Sequence, residues 1–179
     1  MFETERLIIK APDEVTAEER LHYFSKNREF FERFTPARVD EYYTKERQIR
    51  ALENEILREK NKAGAHYYYF RKEEPEIITG TIIFSGIRME PFYSTVLGYD
   101  QDEDRQGEGY CTEGCRAAME DLLKKYRIHR IEARVLPENV KSIHILERLQ
   151  FFREGTEKAG VLIAGEYKDH YRYAFLNEQ

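Results

Sequence analysis

The residues best suited to chemistry lie between Leu97 and Tyr110. The run Leu97-Gly98-Tyr99-Asp100-Gln101-Asp102-Glu103-Asp104-Arg105-Gln106-Gly107-Glu108-Gly109-Tyr110 reads as a strand end, a polar loop and the start of a helix. Such a junction aims several backbone N–H groups at one point on the positive end of a helix dipole, a natural cradle for a pyrophosphate. Gly107 and Gly109 allow a close backbone approach that a side chain would block. Two glycines also make an ordinary tight turn, so this pair alone leaves both readings open. A dinucleotide fingerprint requires a third glycine at position 112, which is Thr112. Asp100, Asp102 and Asp104 alternate as in a calcium loop, but the positions that require glycine and a bidentate acid hold Arg105 and Cys111.

A second group of interest follows Pro137. Asn139 is placed to cap a helix through its side-chain oxygen. Ser142 shares a helical face with Ile145, Leu146 and Leu149, which makes it a hydroxyl on an otherwise apolar stripe. It either bonds back to a helix carbonyl or serves a site. The two cysteines, Cys111 and Cys115, are one helical turn apart on another apolar stripe. They are too few for a disulfide framework, and no Cys-His pair at metal spacing accompanies them. They read as small buried hydrophobes, and we expect no metal.

The elements that must position these groups follow from pattern. A β-like run spans Arg6–Lys10. Thr16-Ala17-Glu18-Glu19 is a capping box that opens a helix through Phe24, with a short helix from Arg28 to Phe34 after it. Thr44 caps a longer helix with Ile49, Leu52 and Ile56 along one side, and Gly64 stops it. Three β-rich stretches follow, Ala65–Arg71, Ile77–Gly86 and Tyr93–Tyr99. A helix from Gly109 to Tyr126 buries Cys111, Cys115, Ala118 and Leu122. Arg130–Val135 alternates strictly as a strand, and a helix spans Asn139–Leu149. Two last strands, Phe151–Lys158 and Glu166–Leu176, form a hairpin across Ala159–Gly165. The strand-helix-strand unit from Tyr93 to Val135 demands a parallel crossover. The order therefore predicts one α/β domain over residues 1–179, a mixed sheet with helices on its faces.

With 179 residues, 41% of them apolar, the chain can build a real core. A charged fraction of 35%, with no apolar run long enough to span a bilayer, argues against a membrane protein. The start, Met1-Phe2-Glu3-Thr4-Glu5-Arg6, lacks the basic and apolar regions of a signal peptide, so we expect a cytoplasmic protein. The net charge of −5 argues against nonspecific nucleic-acid binding. Tyrosines at 42, 43, 67, 68 and 69 read as half-buried strand and helix residues rather than as an acceptor groove.

Several blocks in order resemble the GNAT N-acetyltransferases, in the version carried by the RimJ/RimL branch. Gly98-Tyr99, Gln106-Gly107-Glu108-Gly109-Tyr110 and Thr112-Glu113 are similar to its motif A. Arg130–Val135, Asn139, Ser142, Leu146-Glu147-Arg148, Phe151 and Arg153-Glu154-Gly155 resemble its second block. Gly165-Glu166-Tyr167 with Asp169 resembles its closing hairpin, and Thr4-Glu5-Arg6-Leu7 its start. The likeness is weakest from Val15 to Glu76. It implies a GNAT-like, mostly antiparallel seven-stranded sheet with helices on both faces and a splayed central strand pair. It implies acetyl-CoA as donor, its pantetheine along Leu97–Gln101 and its pyrophosphate on Arg105–Tyr110, with Asn139, Ser142 and Arg148 also touching it. Ser142 falls near the thioester sulfur as the catalytic donor. The amine attacks directly, without an acyl-enzyme.

Four departures stand out. Glu108 replaces a residue that is often basic. Gln150 interrupts the Leu-Gly-Phe ending of the last helix. Leu146 occupies the place where many of these enzymes keep a thiol-protonating tyrosine, and Tyr93–Leu97 supplies no acidic base. The branch implies a peptide or protein N-terminal α-amine as acceptor, and a homodimer as the assembly. The alternatives are a small-molecule acetyltransferase for polyamines or amine antibiotics, and a coenzyme A-binding module without catalysis.

Overall fold

The computed structural model describes residues 1–178. Its strands are β1 (Phe2–Glu3), β2 (Leu7–Lys10), β3 (Gly64–Arg71), β4 (Glu74–Arg88), β5 (Ser94–Gln101), β6 (Arg130–Val135), β7 (Phe152–Ile163) and β8 (Glu166–Leu176). Its helices are α1 (Ala17–Lys26), α2 (Arg28–Phe31), α3 (Lys45–Lys60), α4 (Tyr110–Lys125) and α5 (Val140–Arg148). The strands form one eight-stranded sheet in the order β1-β2-β3-β4-β5-β6-β8-β7. The expected count of seven is corrected by β1, a two-residue strand that pairs Phe2 with Ile9 and Glu3 with Ile8.

Period-2 alternation turns the sheet into two cores. On β3, Tyr67 and Tyr69 pack on one face with α4, and Tyr68 and Phe70 pack on the other with α1–α3. All four are buried, so the tyrosine run belongs to the core. The box at Thr16 forms as expected: Glu19 N donates to Thr16 Oγ1 at 3.1 Å, and Thr16 N donates to Glu19 Oε2 at 2.7 Å.

Tertiary packing changed some local expectations. The buried face of α3 is Gln48, Leu52 and Glu55, and Ile49 is 41% exposed. The cause is Arg20 on α1, whose buried guanidinium donates to Gln48, to Glu55 Oε1 at 2.8 Å and to Tyr68 Oη at 2.7 Å. A buried charge needs such partners, and α3 rotates to provide them. Helix α2 stops at Phe31 because the Phe31 carbonyl accepts from Phe34 N, Thr35 N and Thr35 Oγ1 in a closing turn. Strand β7 continues through a bulge between Glu157 and Val161, so the hairpin turns at Ala164 and Gly165, both with positive φ.

The feature that positions the site is the single parallel junction. β5 and β6 pair only through Ser94↔Arg130, Thr95↔Ile131 and Val96↔Glu132. Beyond that point β5 follows β4, from Leu97↔Phe84 to Gln101↔Gly80, and β6 follows β8, from Ala133↔Tyr173 to Val135↔Tyr171. The two inner edges part, and the β5 edge from Leu97 to Gln101 faces a gap.

Candidate active site

A cleft of about 720 Å³ occupies that gap. Tyr99, Gln106, Gly107, Gly109, Asn139, Ser142 and Arg148 line it from the α4–α5 side, and Phe30, Phe31, Phe34 and Thr35 from the α2 side. Asp100 and Gln101 lie between. The cleft thus reaches both faces of the sheet. A second groove of about 790 Å³, between β1 and α4, meets it at Gly109, Thr112 and Arg148 but includes no residue of β5.

The glycine loop has left-handed backbone at both glycines, with φ of +84° at Gly107 and +83° at Gly109. L side chains are strained there, so glycine is required by conformation. Gly109 is the N-cap of α4. Glu113 N bonds to the Gly109 carbonyl, which leaves the N–H groups of the first turn without helical acceptors.

Behind the loop sits a clamp from the N-terminal strands, and it explains the Thr4-Glu5-Arg6 and Thr112-Glu113 blocks. Glu113 accepts from Thr4 Oγ1 at 2.6 Å, Arg6 N at 3.0 Å and Arg6 Nε at 2.7 Å. Arg6 Nη1 donates to the Glu108 carbonyl at 2.9 Å, and its guanidinium lies 4.5 Å from the centre of the Tyr110 ring. The loop is therefore held by its backbone, and the Glu108 side chain is exposed. Neither Glu108 nor Tyr110 lines the cleft, although the sequence places both among the donor-binding residues.

The remaining sequence-predicted residues divide clearly. Arg105 does not turn its guanidinium to the cleft; it donates to Glu74 at 3.0 and 3.2 Å. Gln101 donates to the Arg105 carbonyl and accepts from Tyr69 Oη at 3.2 Å. Leu97 is buried in the core and offers only its backbone edge. Gly98 is exposed, and a Cβ there would meet nothing within 4 Å. Lys141, which the sequence did not single out, donates to Gln106 Oε1 at 2.6 Å across the cleft mouth.

The three aspartates form no common ligand cluster: Asp102 and Asp104 share Lys26, and Asp100 stands apart. Asp102 is buried and accepts from Lys26 Nζ at 2.7 Å and from Asp104 N at 3.0 Å. Asp104 pairs with Lys26 at 2.8 Å. Asp100 accepts from Tyr23 Oη at 2.6 Å and Thr81 Oγ1 at 2.9 Å. Burial raises the Asp100 carboxyl above its ordinary range, against the opposing pull of these two hydroxyls and of Arg38. Among the described residues no cluster of His, Cys, Asp or Glu is arranged to hold a metal ion.

Asn139 caps α5 by accepting from Ser142 N at 3.2 Å. Ser142 Oγ lies 2.8 Å from Tyr99 Oη, which also donates to the Ser142 carbonyl at 3.1 Å. Burial, then the nearby Cys111 and Cys115, push the Tyr99 phenol well above its ordinary range and keep it a neutral donor. The sequence marked Tyr99 only as strand backbone; its side-chain role depends on α5 packing over β5. Leu146 is buried. Cys111 and Cys115 are buried free thiols with sulfurs 4.0 Å apart, and burial first, then Cys111, pushes the Cys115 thiol up. An enclosed thiol with a raised pKa, such as Cys115, is a poor nucleophile, while Cys111, 5% exposed, borders the cleft.

A helix N-terminus with a glycine cradle, beside an unpaired strand edge in a gap through a mixed sheet, is the arrangement of an acyl-transfer domain for a coenzyme A thioester. The chain belongs to the GNAT acetyltransferases: residues 6–151 match the acetyltransferase (GNAT) domain. It is 35% identical to the Bacillus subtilis protein named "Probable N-acetyltransferase YjcK", over 96% of this chain and 95% of that one. It is 32% identical to the ribosomal protein uS5-alanine N-acetyltransferase of Escherichia coli, over 93% of this chain and 86% of that one. The crystal structure of a ribosomal-protein-S5-alanine acetyltransferase from Vibrio fischeri superposes with a TM-score of 0.91 at 26% identity, covering 99% and 97% of the two chains. The protein is an acetyl-CoA-dependent N-acetyltransferase. No helix among the described residues is long and apolar enough to cross a membrane.

Proposed function

We propose that the acceptor is the N-terminal α-amine of a protein, a ribosomal protein being the leading class, and that the enzyme works in the cytoplasm. The observation that carries this reading is the cleft crossing the sheet at the β5–β6 gap. Acetyl-CoA enters from the α4–α5 side, and the aromatic wall of Phe30, Phe31 and Phe34 leaves the other side for an acceptor with an extended chain. The substrate of the Escherichia coli relative, an alanine N-terminus of a ribosomal protein, supports the same acceptor.

The residues fit the donor. The free β5 edge from Leu97 to Gln101 offers backbone groups to the pantetheine amides, and Gly98 leaves room beside it. The loop N–H groups around Gly107–Tyr110 take the pyrophosphate. Lys141 and Arg148 bring positive charge to the same end of the cleft, while the Arg105 and Gln101 side chains act as braces. Ser142, held by Tyr99, donates toward the thioester sulfur as the thiolate leaves. The buried cysteines fit direct attack by the amine, with no acyl-enzyme.

Acetyl-CoA at about 100 times its dissociation constant should stabilise the fold by roughly 2.7 kcal/mol and raise the melting temperature by about 5–10 °C. Gly109→Leu should abolish that rise. Peptides with free amino termini should be acetylated, and the same peptides with blocked termini should not. Turnover of polyamines or aminoglycosides without any peptide would replace the acceptor assignment. Tight binding of acetyl-CoA with no turnover of any amine would leave a coenzyme A-binding module.

A further inference from the structure

We propose that Asp100 takes the proton of the acceptor amine, with its Oδ2 as the receiving atom. This rests on the acetyltransfer reading and supplies the base that the β5 sequence Tyr93–Leu97 lacks.

Three cleft-lining residues carry carboxylates: Asp100, Glu103 and Glu138. Glu138 is exposed, and Glu103 is half-exposed opposite Arg33 at 3.8 Å. Asp100 alone is held in fixed geometry. Both of its hydroxyl donors, Tyr23 and Thr81, bond to the same atom, Oδ1. No donor among the described residues bonds to Oδ2, and Oδ2 is not among the sealed, unpartnered atoms of the protein. A carboxylate on the cleft wall, pinned by one oxygen and unpartnered at the other, is arranged to receive a proton.

Its place on β5 gives the direction. Consecutive strand residues point to opposite faces. Tyr99 reaches Ser142 on the α5 side, and Asp100 reaches Tyr23 on the α1 side. The open β5 edge lies between them, where the thioester would sit. One face of the strand then serves the leaving sulfur and the other the entering amine. The charged and titratable groups facing Asp100 are Tyr23 and Arg20 from α1, and Arg38 and Tyr42 from the segment between α2 and α3, with Asp102 nearby. The two arginines favour the ionised carboxylate. Arg38 Nη1 is itself sealed from solvent and has no hydrogen-bond partner.

The acceptor enters as an ammonium and gives one proton to Asp100 Oδ2. The freed nitrogen lone pair attacks the thioester carbonyl carbon, a C–N bond forms, and the carbonyl π pair moves to oxygen. When that pair returns, the C–S bond breaks and its electrons leave on sulfur. The second nitrogen proton passes to the sulfur, giving the amide and free thiol, and Asp100 returns its proton to solvent.

Asp100→Asn keeps an oxygen for Tyr23 and Thr81 to bond and removes the base. Its kcat/KM for a free-amine peptide at pH 7 should fall by about 100-fold or more, with acetyl-CoA affinity within about threefold of wild type. The variant must rely on amine already neutral in solution. Its deficit should therefore shrink roughly tenfold per pH unit from pH 6 toward the α-amine pKa of about 8. Tyr23→Phe, which removes one hydrogen bond to the charged form, should move the acid limb of the wild-type profile up by about one unit. A deficit below about threefold, or one of equal size at every pH, overturns the proposal, as does an unmoved acid limb in Tyr23→Phe. A wild type that acetylates only other amines overturns the acceptor assignment alone, and the same comparison is then read on that amine. A wild type that acetylates no amine overturns both.

Discussion

Replacing Ser142 with alanine separates a catalytic hydroxyl from a structural one. In the folded protein the Ser142 Oγ has one polar neighbour, Tyr99 Oη at 2.8 Å. Tyr99 keeps a second partner, the Ser142 carbonyl at 3.1 Å, which the substitution does not touch. No buried polar atom is stranded, so the stability cost is that of one ordinary hydrogen bond, about 0.5–1.5 kcal/mol. Alanine's better helix propensity offsets roughly 0.5 kcal/mol of it. The α5 cap, from Asn139 Oδ1 to the Ser142 backbone N–H, is also preserved. Melting temperature and acetyl-CoA affinity should therefore stay close to wild type. The rate should not. A donor that eases thiolate departure should be worth at least about tenfold in kcat, or ~1.4 kcal/mol of barrier. Release of coenzyme A thiol under saturating substrates measures it directly. Tyr99→Phe leaves the hydroxyl of Ser142 in place but unheld, so it should lose less, and the double variant should lose less than the product of the two. Wild-type kcat in Ser142→Ala refutes the role, and a large loss in Tyr99→Phe alone would move the donor to the phenol.

The loop clamp and the α5 terminus give two further expectations. Burial opposes the Glu113 charge, but Thr4, the Arg6 backbone and the Arg6 guanidinium outweigh it and hold its pKa below the ordinary range. A lowered folded pKa means stability that is present above the unfolded value, about 4.3, and lost as pH falls through the folded one. Glu113→Gln should cost about 1–3 kcal/mol at pH 7 and much less at pH 3 by urea unfolding, and an equal cost at both would contradict the ionic origin. Gln150 has φ of +66° and closes α5, its N–H bonding to the Glu147 carbonyl and Phe151 N to the Leu146 carbonyl. Gln150→Gly should relieve the left-handed strain and raise stability by up to about 1 kcal/mol, a few degrees in melting temperature, whereas a fall would show that side-chain packing there matters more.

What could be read from the chain alone was what short stretches of it determine. The Thr16–Glu19 box, the Gly107–Gly109 loop before α4, the Asn139 cap and the strict alternation of Arg130–Val135 are set by hydrogen bonds and dihedral preferences within a turn or two. They survive in the fold nearly as written, and together with the family resemblance they marked the stretch that lines the α4–α5 side of the cleft. Even Gln150, which departs from the expected glycine, adopts the turn because the α5 carbonyls demand it. What the tertiary structure decided is where distant segments meet. Ile49 lost its place in the core because Arg20 needed Gln48 and Glu55. Arg105 turned away to Glu74, and Arg6 reached the loop from the far end of the chain. Asp100 reads in sequence as one of three alternating aspartates; its partner Tyr23 lies 77 residues away. Tyr99 and Ser142 are 43 residues apart and meet only because β5 and β6 separate and α5 packs over the opening. Local backbone chemistry can place a glycine or a cap, but which oxygen of a carboxylate is left free depends on the packing of the whole sheet.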